Sequence, residues 1–97
     1  MFSVEFVPGA ARQVADARDW WFANRDKAPL AFDEDLEDLV GLLEHAPRFV
    51  GVAVAQRPGV RRALMRRVRY YVYFTFTDET VTVVALWHSS RGSTPGV

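Results

Sequence analysis

The chain has no cysteine, which removes disulfides and thiolate metal sites from consideration. It has no apolar run long enough to span a bilayer, so no membrane partner is expected. The opening residues, MFSVEFVPG, lack the basic start and extended apolar stretch of a secretory signal. The cytoplasm is therefore the default expectation for its location. Lysine is nearly missing: Lys27 stands alone, and arginine supplies the remaining positive charge. The two histidines, His45 and His88, have no carboxylate at ligand spacing, so neither a metal nor another cofactor is expected.

What is present suits a single domain over residues 1–97. Hydrophobic residues make up 49% and charged residues 25%, enough apolar surface for a thin core. Net charge is zero, but it is divided along the chain. Residues 1–48 hold ten acidic and five basic side chains, and residues 49–97 hold two and seven. The halves therefore carry −5 and +5. Such polarity can steer an oppositely charged partner, or an acidic helix face and a basic sheet can offset each other within the fold.

The stretch from Val60 to Arg91 organises the rest. It reads as three strands: Val60–Arg67, dense in arginine; Tyr70–Thr77, alternating aromatic and β-branched residues; and Thr80–Trp87, rich in valine. Asp78-Glu79 occupies a two-residue hairpin loop without the usual glycine. Upstream, Ser3–Val7 is a short strand ended by Pro8-Gly9. A helix follows from about Ala10 to Asn24, with Ala10, Val14, Ala17 and Trp21 on its apolar stripe. Trp20 and Phe22 flank that stripe, and three consecutive aromatics cannot all face one core. They serve either a partner surface or packing against a neighbouring helix.

Asp26 is the expected N-cap of a second helix, with Pro29 in its first turn. Phe32, Leu36, Leu39, Val40 and Leu43 form its buried face, and Pro47 stops it. Asp33, Glu34, Asp35, Glu37 and Asp38 read as a solvated face whose charge suits the helix dipole. His45 sits at the end the dipole favours for a cation. Residues 49–56 are either an extended lead-in or a short extra strand. Pro58-Gly59 turns the chain into the arginine strand, and the tail GSTPGV is expected to fray.

The fold class is thus α+β, with an N-terminal strand, a helical hairpin, and an antiparallel sheet of three to four strands. This order resembles the RelE/ParE superfamily of toxins from bacterial type II toxin–antitoxin modules, also called plasmid stabilisation proteins. The matching pieces are Val4-Glu5-Phe6, the Phe32–Leu43 helix with Pro47, Gly59-Val60-Arg61-Arg62, Arg69-Tyr70-Tyr71-Val72-Tyr73, and Val81–Leu86 followed by His88 and Arg91. The resemblance covers nearly the whole chain. It implies a two-layer fold and a cognate antitoxin that wraps the toxin with an extended or helical segment. It also implies one of two activities: RelE-like members cut messenger RNA on the ribosome, and ParE-like members poison DNA gyrase without cutting RNA.

The residues divide between these activities. Metal-free RNA cleavage needs a base, an acid, and cations for the charged phosphorane. Arg61, Arg67 and Arg91 are candidates for the cations, and His88 for base or acid. Glu44 is a remote second choice. A nuclease reading therefore rests on Arg61, His88 and Arg91. His88, however, is followed by Ser89, and no tyrosine comes after it, unlike many RelE-like nucleases. It also suits a strand-end residue that anchors the tail through a hydrogen bond. A target-binding reading draws on Arg61, Arg62, Arg66, Arg67, Tyr71 and Arg91. On a strand, Arg62 and Arg66 share one side and Arg61 and Arg67 the other. Tyr70, Tyr71 and Tyr73 either pack across strands or stack on bases, Tyr71 being the best stacking candidate.

The expected function is a ParE-like toxin that binds a macromolecule, with gyrase the first candidate. The alternatives are a ribosome-dependent messenger RNA interferase and a partner-binding protein of the same fold without toxicity. Homo-oligomerisation is left open.

Overall fold

The computed structural model describes residues 1–90. Arg91 and the tail expected to fray lie outside the described residues. The elements run β1 (Ser3–Phe6), α1 (Pro8–Asn24), α2 (Ala31–His45), a 3-10 turn (Pro47–Phe49), β2 (Val52–Ala53), β3 (Arg61–Leu64), β4 (Tyr70–Phe76) and β5 (Thr80–His88). They form a five-stranded sheet in the order β1-β5-β4-β3-β2, parallel only between β1 and β5. After the helical hairpin come four antiparallel strands, β2 to β5, within the expected three to four, and the N-terminal strand β1 joins them in parallel at β5. Among them β2 is recruited from the apolar stretch whose role was open.

Alternation along the strands decides which face carries the helices. Val72, Phe74, Val81 and Val83 are buried on the inner face, and Val4 and Phe6 pack against the same cluster. From the helices, Ala10, Val14, Ala17, Phe32, Leu36, Leu39 and Leu43 close over them. Trp21 is half-buried beside this core, whereas Trp20 and Phe22 are exposed. The aromatic triplet thus splits one inward and two outward. Among the described residues, no helix is long and apolar enough to cross a membrane.

Helix starts differ from expectation. α1 begins at Pro8, two residues early. Proline suits this position because its missing N–H would have no intrahelical acceptor. α2 begins at Ala31 and has no side-chain cap. An Asp26-capped helix would require helical backbone at Ala28, which a following proline disfavours. Residues 25–31 instead form turns, with Ala28 N–H donating to Arg25 and Ala31 N–H to Ala28.

The arginine strand is shorter than expected, ending at Leu64. Met65 and Val68 are both 1% exposed, and burying residues three apart is incompatible with strand alternation. The chain turns instead: Arg69 N–H donates to Met65, and Arg69 takes a left-handed φ of 66°. Arg66 and Arg67 therefore sit in the turn and not on opposite faces of a strand.

Asp35 holds this turn. It is 8% exposed, and its Oδ2 accepts the backbone N–H groups of Arg67 (2.9 Å) and Val68 (3.1 Å). The acidic run of α2 is consequently not uniformly solvated. At the other hairpin, Thr77 Oγ1 accepts N–H groups from Glu79 (3.4 Å) and Thr80 (3.2 Å). Side-chain bonding of this kind replaces the missing glycine in the Asp78-Glu79 loop. Opposite Tyr73 and Phe74, β5 bulges at Val84. β1 covers β5 only from Thr80 to Val83, and beyond it Gln13 Oε1 accepts the Leu86 N–H at 2.8 Å.

Arg61 fixes the far edge. Its Nε donates to the Val50 carbonyl (3.2 Å) and its Nη2 to the Gly51 carbonyl (2.9 Å). Gly51 has φ +67°, and a Cβ there would lie 2.0 Å from the Arg62 carbonyl oxygen. Close backbone approach and one guanidinium thus seat β2 on β3.

Two predictions follow from these anchors. Asp35→Ala leaves one buried and one part-buried N–H donor unpaired and should destabilise by about 2–3 kcal/mol. In a thermal melt this is a fall of roughly 10–20 °C, with Asp35→Asn losing less. An unchanged midpoint would show that the turn holds itself. Arg61→Ala should cost about 1–2 kcal/mol and speed amide exchange at residues 50–53 while leaving β4 protected. Unchanged exchange there would free Arg61 from a structural role.

Candidate interaction surfaces

Of the residues nominated by the sequence, the fold distributes Arg61, Arg62, Arg66, Arg67, Tyr71 and His88 over separate places, and Arg91 lies outside the described residues. Arg62 and Tyr71 meet on the sheet face turned away from the helices. Register pairs Arg62 with Tyr73 and Tyr71 with Trp87, which puts all four side chains on that face. The Arg62 guanidinium lies over the Tyr71 ring, 4.5 Å from its centroid. Tyr71 and Tyr73 meet edge-on at 6.4 Å. Tyr73 is only 2% exposed, and among the described residues no helix covers this face; its aromatic neighbours pack around it. Tyr71 therefore has a cation on one ring face and an aromatic neighbour at its side.

Arg61 points to the other side and is bound to main-chain carbonyls, as described above. Arg67 Nη1 pairs with Glu34 Oε1 at 3.2 Å, with both side chains more than half exposed. An ion pair this open contributes little stability. Arg66 is exposed and lines an apolar groove with Leu39, Leu42, His45, Phe49 and Leu64.

His88 occupies a cleft on the helix side. Its ring meets Tyr70 edge-on at 4.8 Å, and Trp20, Trp21 and Arg25 complete a space of about 350 Å³. Arg25 lies 4.8 Å from the Trp20 ring centroid and 5.3 Å from that of Trp21. Nδ1 of His88 receives the Ser90 backbone N–H at 3.1 Å and contacts the Ser90 hydroxyl at 2.7 Å. A backbone amide can only donate, so Nδ1 accepts and the neutral ring carries its proton on Nε2. This is the hydrogen bond that the tail-anchoring reading describes.

Register also measures how far the nuclease candidates are apart. Arg61 is opposite Phe74, and His88 is opposite Tyr70, with β4 between them. Four residues along and two strands across amount to about 16 Å between their backbones. The Arg61 side chain is meanwhile held to the carbonyls of residues 50 and 51. The structure brings Arg62 together with Tyr71, and it brings Arg61 together with neither His88 nor Arg67. Among the described residues, no group of three His, Asp or Glu side chains could hold a metal ion.

Sequence reasoning missed Arg25, which became a site residue only when α1 packed beside β5. The available signal was its spacing: Arg25 follows Trp21 by four residues, about one helical turn.

Comparison with known proteins agrees with this architecture. The chromosomal ParDE toxin–antitoxin system of P. aeruginosa superposes with a TM-score of 0.74 at 17% identity, over 91% of this chain and 96% of that one. The DinJ-YafQ complex of E. coli gives 0.65 at 14%, over 91% and 93%. The intact RelBE toxin-antitoxin complex of E. coli gives 0.62 at 17%, over 94% and 100%. At these identities the likeness establishes the fold alone. None of the curated proteins matches in sequence. The family model for the ParE toxin of the type II toxin-antitoxin system parDE matches residues 4–92. With nearly its whole length under that match, the chain belongs to the ParE toxin family.

Proposed function

We propose that this chain is the toxin of a type II toxin–antitoxin module that acts in the cytoplasm by binding DNA gyrase, and that a cognate antitoxin neutralises it. The observation that carries the proposal is the dispersal of the polar candidates. A nuclease must gather its base, acid and phosphate-binding cations within hydrogen-bond reach of one bond. Here Arg61 is bound to carbonyls, Arg67 is paired with Glu34, and His88 accepts from Ser90 about 16 Å from Arg61. The open sheet face instead offers a packed aromatic layer that carries Arg62. Aromatic and arginine side chains of this kind are the usual anchors of protein–protein interfaces. Family membership and the likeness to the ParDE fold point the same way.

The purified protein should stall gyrase supercoiling and accumulate cleaved DNA, while messenger RNA on translating ribosomes stays intact. Cleaved messenger RNA with unaffected gyrase would replace this reading with the interferase. Inactivity in both assays, without growth arrest, would leave a partner-binding protein only.

Substitution separates the surfaces. Arg62→Glu should weaken growth arrest by more than about tenfold in effective dose while preserving the circular dichroism spectrum. His88→Ala should retain arrest. The opposite pattern would favour chemistry at His88.

A further inference from the structure

The cleft beside His88 lies between the C-terminal half of α1 and the end of β5, on the helix side of the sheet. Its walls are fixed by the core. Phe32, 1% exposed, meets Tyr70 edge-on at 5.5 Å, and Tyr70 meets His88 edge-on at 4.8 Å. Trp20 and Trp21, 5.8 Å apart and also edge to face, complete the wall. Edge-on pairs leave ring faces free to stack on a further ring. The space is about 350 Å³, and a second lobe of about 240 Å³ adjoins it, sharing Trp20, Tyr70 and His88. A mostly aromatic cavity of this size suits a small flat molecule.

The polar groups of the first lobe are donors. The Trp21 Nε1–H is shut off from solvent and has no hydrogen-bond partner among the described residues. A buried donor left this way costs stability until an acceptor reaches it. His88 carries its proton on Nε2, because Nδ1 accepts from Ser90, and no described residue accepts from Nε2. Arg25 lies over both indole rings and has no ion-pair partner among the described residues. Its guanidinium reaches the Asn24 carbonyl only at 3.4 Å, which is long for a hydrogen bond. The second lobe differs. Gln13 uses its Oε1 on the Leu86 N–H, and Asp16 contributes a carboxylate. Asp16 precedes Arg25 by nine residues, about 13 Å along α1.

Charge selects the ligand. Aromatic clefts commonly take cations. Here Arg25 already supplies the cation over the indoles, and a second would be repelled. An anion is drawn to Arg25 and turned away from Asp16, which sets its direction along the cleft.

We propose that the cleft between α1 and β5 binds a small planar aromatic anion, with its ring against Trp20 and Tyr70 and its anionic group held by Arg25, the Trp21 Nε1–H and the His88 Nε2–H. Arg25 is exposed, so its side chain is free to swing off the indoles and admit the ligand to the Trp21 N–H. The site uses no residue of the sheet face assigned to the target, so the two assignments fail separately.

The test uses the free full-length chain with naphthoate as the probe, followed through the indole N–H signals of the three tryptophans. Naphthoate should bind with a Kd of about 1 mM or tighter, the range expected for a ligand of its size. The Trp21 indole N–H should move downfield as it gains an acceptor. Naphthylmethylamine keeps the rings and reverses the charge; it should bind at least about tenfold more weakly. Cyclohexanecarboxylate keeps the charge without an aromatic face and should weaken by a similar factor of about ten. Arg25→Gln should cost naphthoate about tenfold in affinity with an unchanged circular dichroism spectrum, whereas Arg12→Gln, at an exposed position near the start of α1, should cost nothing. Binding that leaves the Trp21 signal in place, or that tolerates Arg25→Gln, would overturn the site. Equal affinity for the amine would overturn the choice of an anion, and equal affinity for cyclohexanecarboxylate the choice of an aromatic ligand. No binding of naphthoate at about 10 mM would remove the proposal and leave the proposed function untouched.

Discussion

One carboxylate joins the two layers of this protein at the point where they would otherwise part. Asp35 receives the amides of Arg67 and Val68, so the turn between β3 and β4 is bound to the second turn of α2. A buried acceptor of this kind matters chiefly because its loss leaves the donors it served without a partner. The position of the turn decides much of the surface. Because the chain turns at Met65, Arg66 and Arg67 leave the sheet for the helix side. Arg62 stays on the open face beside Tyr71.

Charge partition is the second consequence. Acidic α2 and the arginine-rich strands touch at few points. Among the described residues the ion pairs are Arg18–Asp33, within the helical layer, and Arg67–Glu34, between the halves. Internal neutralisation is therefore slight, and both polarities remain available at the surface. The sheet order places β1, beside acidic α2, at one edge and β2, beside the arginines, at the other. Under the proposed function, one surface meets a target and another meets an antitoxin. Separate surfaces of opposite sign let two partners be selected by different chemistry.

Much of the fold could be read from local pattern. The helical stripes of Phe32–Leu43 and Ala10–Ala17 and the alternation of β4 are short-range signals, and they held. What could not be read depended on partners distant in sequence. Asp35 sits in an acidic run and differs from Glu34 or Glu37 only through amides more than thirty residues away. The arginine run gave no sign that Met65 and Val68 would both turn inward, because that follows from the core they fill. Arg61 looked as available as Arg62. Its acceptors, the carbonyls of Val50 and Gly51, belong to a strand whose existence was itself open. For the candidate surface, composition drew attention to arginine beside tyrosine, and guanidiniums adjacent in sequence ended in different environments.

The proposed mode of action is occupation of a target without cutting of RNA. Pulse labelling of cells after induction tests it most directly. DNA synthesis should fall first and the chromosome should carry double-strand breaks, while protein synthesis continues through the first minutes. Immediate collapse of protein synthesis with fragmented messenger RNA, and DNA synthesis continuing behind it, would contradict the account.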